Sequence, residues 1–472
     1  RPPRSTLFPY TTLFRSYDVL ARTLYNGLIS GVSMDGGGFF YPNPLESMGQ
    51  HQRQPWFGCA CCPSNICRFL PSLPGYVYAV KDRNLYVNLF LSNTSRINLA
   101  GKAVSISQDT QYPWNGDIAL RINGNKAGQF ALKIRIPGWV KGHPVPSDLY
   151  EYADHKRMSY KITVNGRQVP AALTPDGYYT ISRKWKKGDR IQVHFDMEAR
   201  IVRANNKVVA DRGQVAIERG PVVYCAEWPD NAFNIMNVLL NQTPQFTSGT
   251  IPDSRFIADS LKDKLTLYKD QSLKTLTTQA QTLAYDSTGN LTVQNVTLKL
   301  IPYFSWCQRG SGNMKVWIPQ DLKAVRPAVP ATLASLSKIA SSTPSRSLGS
   351  IADGLVPADE NDRSIPYFHW WPKQGTTEWI TYTFPKERTI QTSTVYWYDD
   401  QPWGGCKVPE KWSIQYMDQH QQWQDVKHAD HYPIQKGQPC TVEFDPIKTK
   451  VVRINVKQPE KYSCGLFEWS VN

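Results

Sequence analysis

The chain has 472 residues, 41% hydrophobic and 20% charged, an ordinary globular composition with room for about three domains at roughly 100–200 residues each. No apolar run approaches the roughly 20 residues of a membrane-spanning helix, so no such span is expected. The net charge of +15 invites a nucleic-acid partner, but Lys133, Arg135, Arg183, Lys184, Lys186 and Lys187 are scattered along strand-like segments and are not interleaved with aromatics; a solvated surface and no nucleic acid are expected.

Residues 1–16, RPPRSTLFPYTTLFRS, show neither helical nor strand period and no initiating Met. They resemble a translated adapter scar and are set aside as a non-native leader, with the natural N-terminal region taken to lie upstream. From Tyr17 the pattern turns helical: Leu20, Leu24, Leu28 and Val32 recur at a spacing of four, and the Gly-rich turn Asp35–Gly38 ends the run. A second short helix is expected from near Pro63 to about Leu70. Two helices make no domain alone, so residues 17–74 read as the last piece of a larger helical domain, whose Leu20, Leu24 and Leu28 face should then be left exposed.

From Gly75 the period changes to two. YVYAV and LYVNLFLS flank Asp82-Arg83-Asn84 as a hairpin, and strand runs follow at 130–136, 160–166, 177–181, 190–197, 214–220, 221–227, 291–304 and 314–319. Short strands separated by Asn-Gly, Lys-Gly-Asp and Pro-Gly turns argue for antiparallel sandwiches over residues 75–319, with one helix-like stretch near Asp259–Tyr268. Residues 320–349, rich in Pro, Ala and Ser and without aromatics, have linker composition. An aromatic-dense β unit follows over 350–472. Its WITYTF, VVRINV and LFEWSV segments resemble the discoidin-like (factor 5/8 C-type) jelly roll, a likeness that implies sugar binding by loop aromatics at one end. There Trp379, Trp397, Trp412 and Trp469 fit inward strand positions, whereas Trp403, in the turn-rich DDQPWGGC, is a candidate sugar platform beside Asp399 and Asp400.

Four of nine cysteines fall between Cys59 and Cys67, in WFGCACCPSNICRFL. Such clustering is unlike a disulfide framework spread over a fold. Pro63 suits a helix's first turn, placing Cys61 and Cys62 at the positive end of its dipole, where thiolate is favoured. Several thiols in succession serve no packing purpose, whereas adjacent thiolates can converge on one soft cation such as zinc. No second ligand pair follows at normal spacing. His51 is a possible extra ligand, though a surface histidine is the plainer reading.

WFGCACCPSN, preceded by LYNGLISGVSMDGGGFFYPNPLES and followed by the YVYAV–LYVNLFLS hairpin, resembles glycoside hydrolase family 127, the β-L-arabinofuranosidase family. LKIRIPGWV, VNG and VAIERGPVVYC extend the likeness, which covers about residues 17–320. The resemblance implies a mainly β chain: a helical remnant of an (α/α)6 barrel, then β-sandwich domains and the C-terminal jelly roll. By position, Cys61 matches the zinc-bound cysteine nucleophile, Cys62 the neighbouring Zn2+ ligand, and Tyr41 a tyrosine of the sugar pocket. A retaining exo-hydrolase of terminal β-L-arabinofuranosides, acting on an oligosaccharide or plant polysaccharide, is thereby implied, with related acidic or branched pectic sugars left open. The chain itself carries no localisation signal, and a periplasmic or extracellular place is expected over a cytoplasmic one. The family's remaining ligands, in a Glu-x-Cys segment, and its acid/base glutamate find no match here. Ala21 stands where family members commonly carry a carboxylate, and Glu46, in NPLE, reads as part of a structural turn. The fragment alone is expected to be inactive. The competing reading is a non-catalytic carbohydrate-binding β-domain protein with vestigial cysteines, which leaves C-x-C-C-P without a purpose.

Overall fold

The computed structural model describes residues 11–169, 173–257, 272–345, 347–429 and 431–472, and within them the chain is mostly strand. The helix-like stretch at 259–268 lies outside the described residues. The chain divides into two compact units, the first formed mainly by residues up to 327 and the second mainly by 328–472.

In the first unit the opening helix runs Thr11–Arg22, beginning inside the segment set aside as a leader. It continues as a π-helical turn over Thr23–Leu28 and a 3-10 turn over Ile29–Gly31, so the helix expected over 17–32 changes pitch twice. The leucine face expected to be exposed is not. Leu24 is buried, Leu20 and Leu28 pack on the same core, and Ala21 and Tyr25 join it. Burial of that stripe against strands replaces the burial a helical barrel would offer. Val19 is exposed on the helix itself, and large apolar side chains left in solvent after it include Tyr41, Leu45, Trp56, Leu70 and Tyr76.

Polar clasps fix the helix to the β structure. Arg135 donates to Asp18 at 2.7 Å, and the Gly138 amide donates to the same oxygen at 3.0 Å. Arg22 pairs with Glu218, which is also the acceptor for the Tyr152 hydroxyl at 2.9 Å. Asn26 donates to Pro221 O and receives Val223 N–H, both at 2.8 Å. Each satisfies groups whose burial alone would be costly.

The predicted hairpin is present as Tyr78–Lys81 paired with Asn84–Val87 around Asp82, whose φ of 54° makes the tight turn. Residues 84–195 form a sandwich. A four-stranded sheet includes Gln129–Arg135 and Tyr178–Lys184, and a six-stranded sheet includes Tyr160–Val164, Arg190–Phe195 and Asp117–Asn125. Alternate residues such as Leu132, Ile134, Ile181, Ile118, Leu120, Ile162 and Val193 meet in one core. Several strands had no counterpart in the sequence reading, among them Asn93–Leu99, Lys102–Thr110 and Asp117–Asn125 here and Ser272–Tyr285 further on. An 11-stranded sheet carries most of the strands that follow, including Gln214–Arg219, Val222–Glu227 and Leu291–Pro302.

The second unit is a seven-stranded jelly roll dominated by two long strands, Thr377–Tyr398 and Cys440–Lys457. Their pairing slips between Thr383 and Arg388 and between Ile390 and Thr392, and such bulges bend a strand from one layer into the next. Part of the expected linker belongs to this unit: Lys338–Ser341 pairs with Thr377–Tyr398, and Ala334 is buried in the core. Trp397, Trp412 and Trp469 are inward as expected, joined by Trp370. Trp379 is only half-buried, because Glu378 and Ile380 on either side of it take the inward face.

Candidate active site

The cysteine segment is mounted on both the helix and the β structure of the first unit. Phe39 bridges Gln54, and Phe40 points inward to stack on Trp306 with ring centres 4.9 Å apart. Arg53 lies over the Phe40 ring at 4.3 Å and donates to Ser30 O at 2.8 Å and Trp306 O at 3.2 Å. Burial lowers that guanidinium to about 10. Since alternate residues of extended backbone face opposite ways, an inward Phe40 turns Tyr41 out. Tyr41 is 45% exposed and is braced edge-on by Phe57 at 5.0 Å.

The second helix spans Cys61–Ser72, starting two residues before the expected Pro63. Pro63 is buried in the first turn, where a missing N–H costs nothing, and Ser64 Oγ donates back to Ala60 O at 2.8 Å. Cys61 and Cys62 therefore occupy the first turn, at the positive end of the helix.

Here the three residues singled out for chemistry meet. Tyr41 Oη lies 2.9 Å from Cys61 Sγ, and Cys61 Sγ lies 3.9 Å from Cys62 Sγ. The Tyr41 hydroxyl and then the Cys62 thiol hold the Cys61 thiol below its ordinary range, since both can donate to a thiolate. Tyr41 is correspondingly pushed up by hydrogen bonds to Cys61 and Cys59, and Cys62 is pushed up by desolvation and by Cys61. One ionisable sulfur, exposed at the surface, is thus favoured over that of Cys62. Cys59 was not singled out by the sequence reading, yet it shares this cluster.

Two ligands of a tetrahedral zinc at about 2.3 Å stand about 3.8 Å apart, so the Cys61–Cys62 spacing fits half of such a ligand set. Among the described residues no group of three or more His, Cys, Asp or Glu side chains converges as a metal cage. Cys67, six residues along a helix of 100° per residue, faces another way from Cys61. His51 is turned to Trp306, with ring centres 6.3 Å apart, and its Nδ1 is buried without a partner. Glu46 is a structural carboxylate, paired with Lys315 and, at 3.2 Å, with Arg326. Ala21 is buried at 4% exposure, facing the core and not the thiols.

In the second unit Trp403 stands 89% exposed at its loop tip, so it is not a lid on the sandwich. The carboxylates expected beside it are spent elsewhere. Asp399 is fully buried, accepting from the Gln401 and Val408 amides at 3.1 and 3.0 Å and from Lys436 at 2.8 Å. Asp400 accepts the Cys406 amide at 2.8 Å and the Tyr398 hydroxyl at 3.2 Å. Both staple the loop, because its turning backbone leaves amides that need acceptors. The companion aromatic is Trp371, half-exposed and lying so close over Gly405 that a Cβ there would come within 2.3 Å of its ring. Alternation with the inward Trp370 could have revealed it.

Comparison with known proteins places these features in context. Three family models of one hydrolase family match in order: the GH127 β-L-arabinofuranosidase catalytic domain at residues 5–75, its middle domain at 84–197 and its C-terminal domain at 199–319. The first match reaches into the segment set aside as a leader. An F5/8 type C domain model matches residues 338–468. A non-reducing end β-L-arabinofuranosidase of Bifidobacterium longum subsp. longum is 31% identical over 318 residues, covering 64% of this chain and 44% of that protein. A solved GH127 β-arabinofuranosidase is 54% identical with a TM-score of 0.61, covering 67% of this chain and 47% of that one. A GH127 β-L-arabinofuranosidase from Geobacillus stearothermophilus T6 is 32% identical with a TM-score of 0.55, covering 65% and 46%. The chain therefore spans less than half the length of these relatives.

Proposed function

Because the chain belongs to glycoside hydrolase family 127 and carries an F5/8 type C domain, we propose that it is part of a retaining exo-glycosidase of terminal β-L-arabinofuranosides, with Cys61 as nucleophile. The observation that supports this most is the Tyr41–Cys61 contact of 2.9 Å at an exposed helix N-terminus. A buried structural thiol would have no use for it.

In this reading the Cys61 thiolate attacks the anomeric carbon, and the bond to the leaving oxygen breaks as an acid protonates that oxygen. Water then gives its proton to the same group, now in its basic form, and cleaves the carbon–sulfur bond, returning the thiolate and releasing the sugar with retained configuration. Tyr41 donates to the sulfur while it is anionic and turns to sugar hydroxyls as the sulfur becomes a thioether. Cys61 and Cys62 are the residues of this chain that would hold a zinc ion, which when bound keeps thiolates ionised near neutral pH. Glu46, occupied by Lys315 and Arg326, is unsuited to be the acid. Residues 1–472 alone should therefore turn over little or no substrate and bind zinc weakly.

In a form extended to the relatives' full length, release of 4-nitrophenol from 4-nitrophenyl β-L-arabinofuranoside is expected, and Cys61→Ser should lower kcat at least about 10³-fold. Undiminished turnover by that variant would sink the assignment. The F5/8 type C domain is read as a sugar-binding appendage with Trp403 as platform; Trp403→Ala should weaken retention on arabinose- or galactose-containing polysaccharide without lowering thermal stability.

A further inference from the structure

The six-stranded sheet of the middle sandwich has an outer face that the chemistry above does not use. Its strands are in register, so residues of neighbouring strands line up in rows. Thr163, Gln192, Ala119 and Asp109 form one row across four strands. Lys161, His194 and Asp117 form the next. These positions share the solvent side, while Ile118, Leu120, Ile162, Ile191 and Val193 fill the core beneath. Ala119 is the one small side chain in the middle of these rows, and over it opens a hollow of ≈ 570 Å³. That size lies within the range of about 300–1,000 Å³ typical of small-ligand sites.

The walls of the hollow are short of partners. Thr163 Oγ1 is buried without a hydrogen bond. Asp109, Lys161 and Gln192 line the same hollow, and none of their side chains is paired with another described residue. His194 is fixed, held between Asp117 at 2.6 Å and Asp196 at 3.2 Å, so this wall is rigid. An amide, a carboxylate and an ammonium thus face the hollow with open hydrogen-bonding capacity, beside the buried and unpaired Thr163 hydroxyl.

The chemistry of the walls narrows the ligand. Asp109 and Asp117 oppose a phosphate or nucleic acid, and Ile118 and Val193, whose side chains are buried in the core beneath, offer a lipid no apolar wall. What remains is a neutral molecule dense in hydroxyls, which both donate and accept. Three strand spacings of about 4.8 Å give the row a span of about 14 Å, matching an oligosaccharide segment better than a single sugar. We propose that this hollow is a second, non-catalytic saccharide-binding site, centred on Ala119 and formed by Thr163, Gln192, Asp109 and Lys161. It shares no residue with the thiol cluster or the Trp403 loop. With no Trp, Tyr or Phe in its lining for stacking, it binds weakly and serves to hold a polymer near the protein.

Saturation-transfer difference NMR on the whole chain, with arabinose- and galactose-containing disaccharides at millimolar concentration, tests this without any turnover and so independently of the hydrolase assignment. The Trp403→Ala background removes the loop platform. In that background the sugar signal should persist, and adding Ala119→Trp, which fills the hollow, should cut it at least fivefold with an unchanged unfolding midpoint. Adding Gln192→Ala instead should weaken it two- to fivefold and guards against disruption by the larger side chain. No signal from the Trp403→Ala protein, or equal signals with and without both hollow substitutions, would overturn the proposal.

Discussion

Glu468, in the closing strand Gly465–Val471 of the jelly roll, should make the domain lose stability as pH rises. Its side chain is half-buried, receives the Gly354 amide at 3.3 Å, and is pushed up to about 8 from an ordinary 4.5 by burial first and by Asp353 second. A raised acid is neutral in the fold and ionised in the unfolded chain at the same pH. Its contribution is therefore fully present below about pH 4.5 and is lost progressively up to about pH 8. At about 1.4 kcal/mol per unit the full shift would amount to about 5 kcal/mol; solvent screening at a half-buried site reduces this to about 2 kcal/mol. For a domain of this size that is about 6 °C in Tm between pH 5 and pH 8.5. Differential scanning calorimetry of the chain and of Glu468→Gln, in buffers without divalent cations, isolates the effect. The variant's jelly-roll transition should fall by several degrees less over that interval. Equal pH slopes in the two proteins, or a transition that rises with pH in the wild type alone, would refute the reasoning.

Arg22→Met should cost about 3 kcal/mol in urea unfolding of the first unit, because it strands the Glu218 carboxylate in the interior, and the Thr11–Arg22 helix should lose hydrogen-exchange protection first. Tyr41→Phe removes the main hydrogen bond holding the Cys61 thiol down, so alkylation of Cys61 by iodoacetamide at pH 7, followed by peptide mass spectrometry, should slow several-fold and recover at higher pH. Trp397→Ala, at a fully buried position in the jelly-roll core, should destabilise that unit by about 3–5 kcal/mol in denaturant titration.

The thiol site was legible because its signal is compositional: C-x-C-C-P has no packing rationale, and a proline three residues into a helix marks where the dipole begins. Its third partner, Tyr41, came only through the family resemblance, since nothing in FFYPNPLE says which aromatic turns outward. The missed strands from Asn93 to Asn125 carry polar residues on their outer face, and one of their turns is Ala100-Gly101, with Ala100 at φ 52°, outside the Asn-Gly and Pro-Gly pairs that mark turns most plainly. Trp379 was misplaced although its own strand held the answer: Ile380, Tyr382 and Phe384 share one parity and fill the core, leaving the other to Trp379. Adjacent aspartates at 399 and 400 look like solvent-seeking carboxylates, and only the tally of loop amides in three dimensions shows them to be structural.

Trp306 sits some 245 residues beyond Cys61 in the chain, yet it is the surface on which Phe40 rests and the carbonyl that Arg53 grips. The aim of the reactive sulfur is therefore set by a workpiece clamp whose second jaw is translated long after the first. A nascent chain reaching the cysteines has no means of setting Tyr41 against Cys61 until the later β strands emerge and close. Exchanging those strands for a foreign sandwich, in building a chimeric hydrolase, would spoil the alignment of the thiol without altering a single residue that touches it.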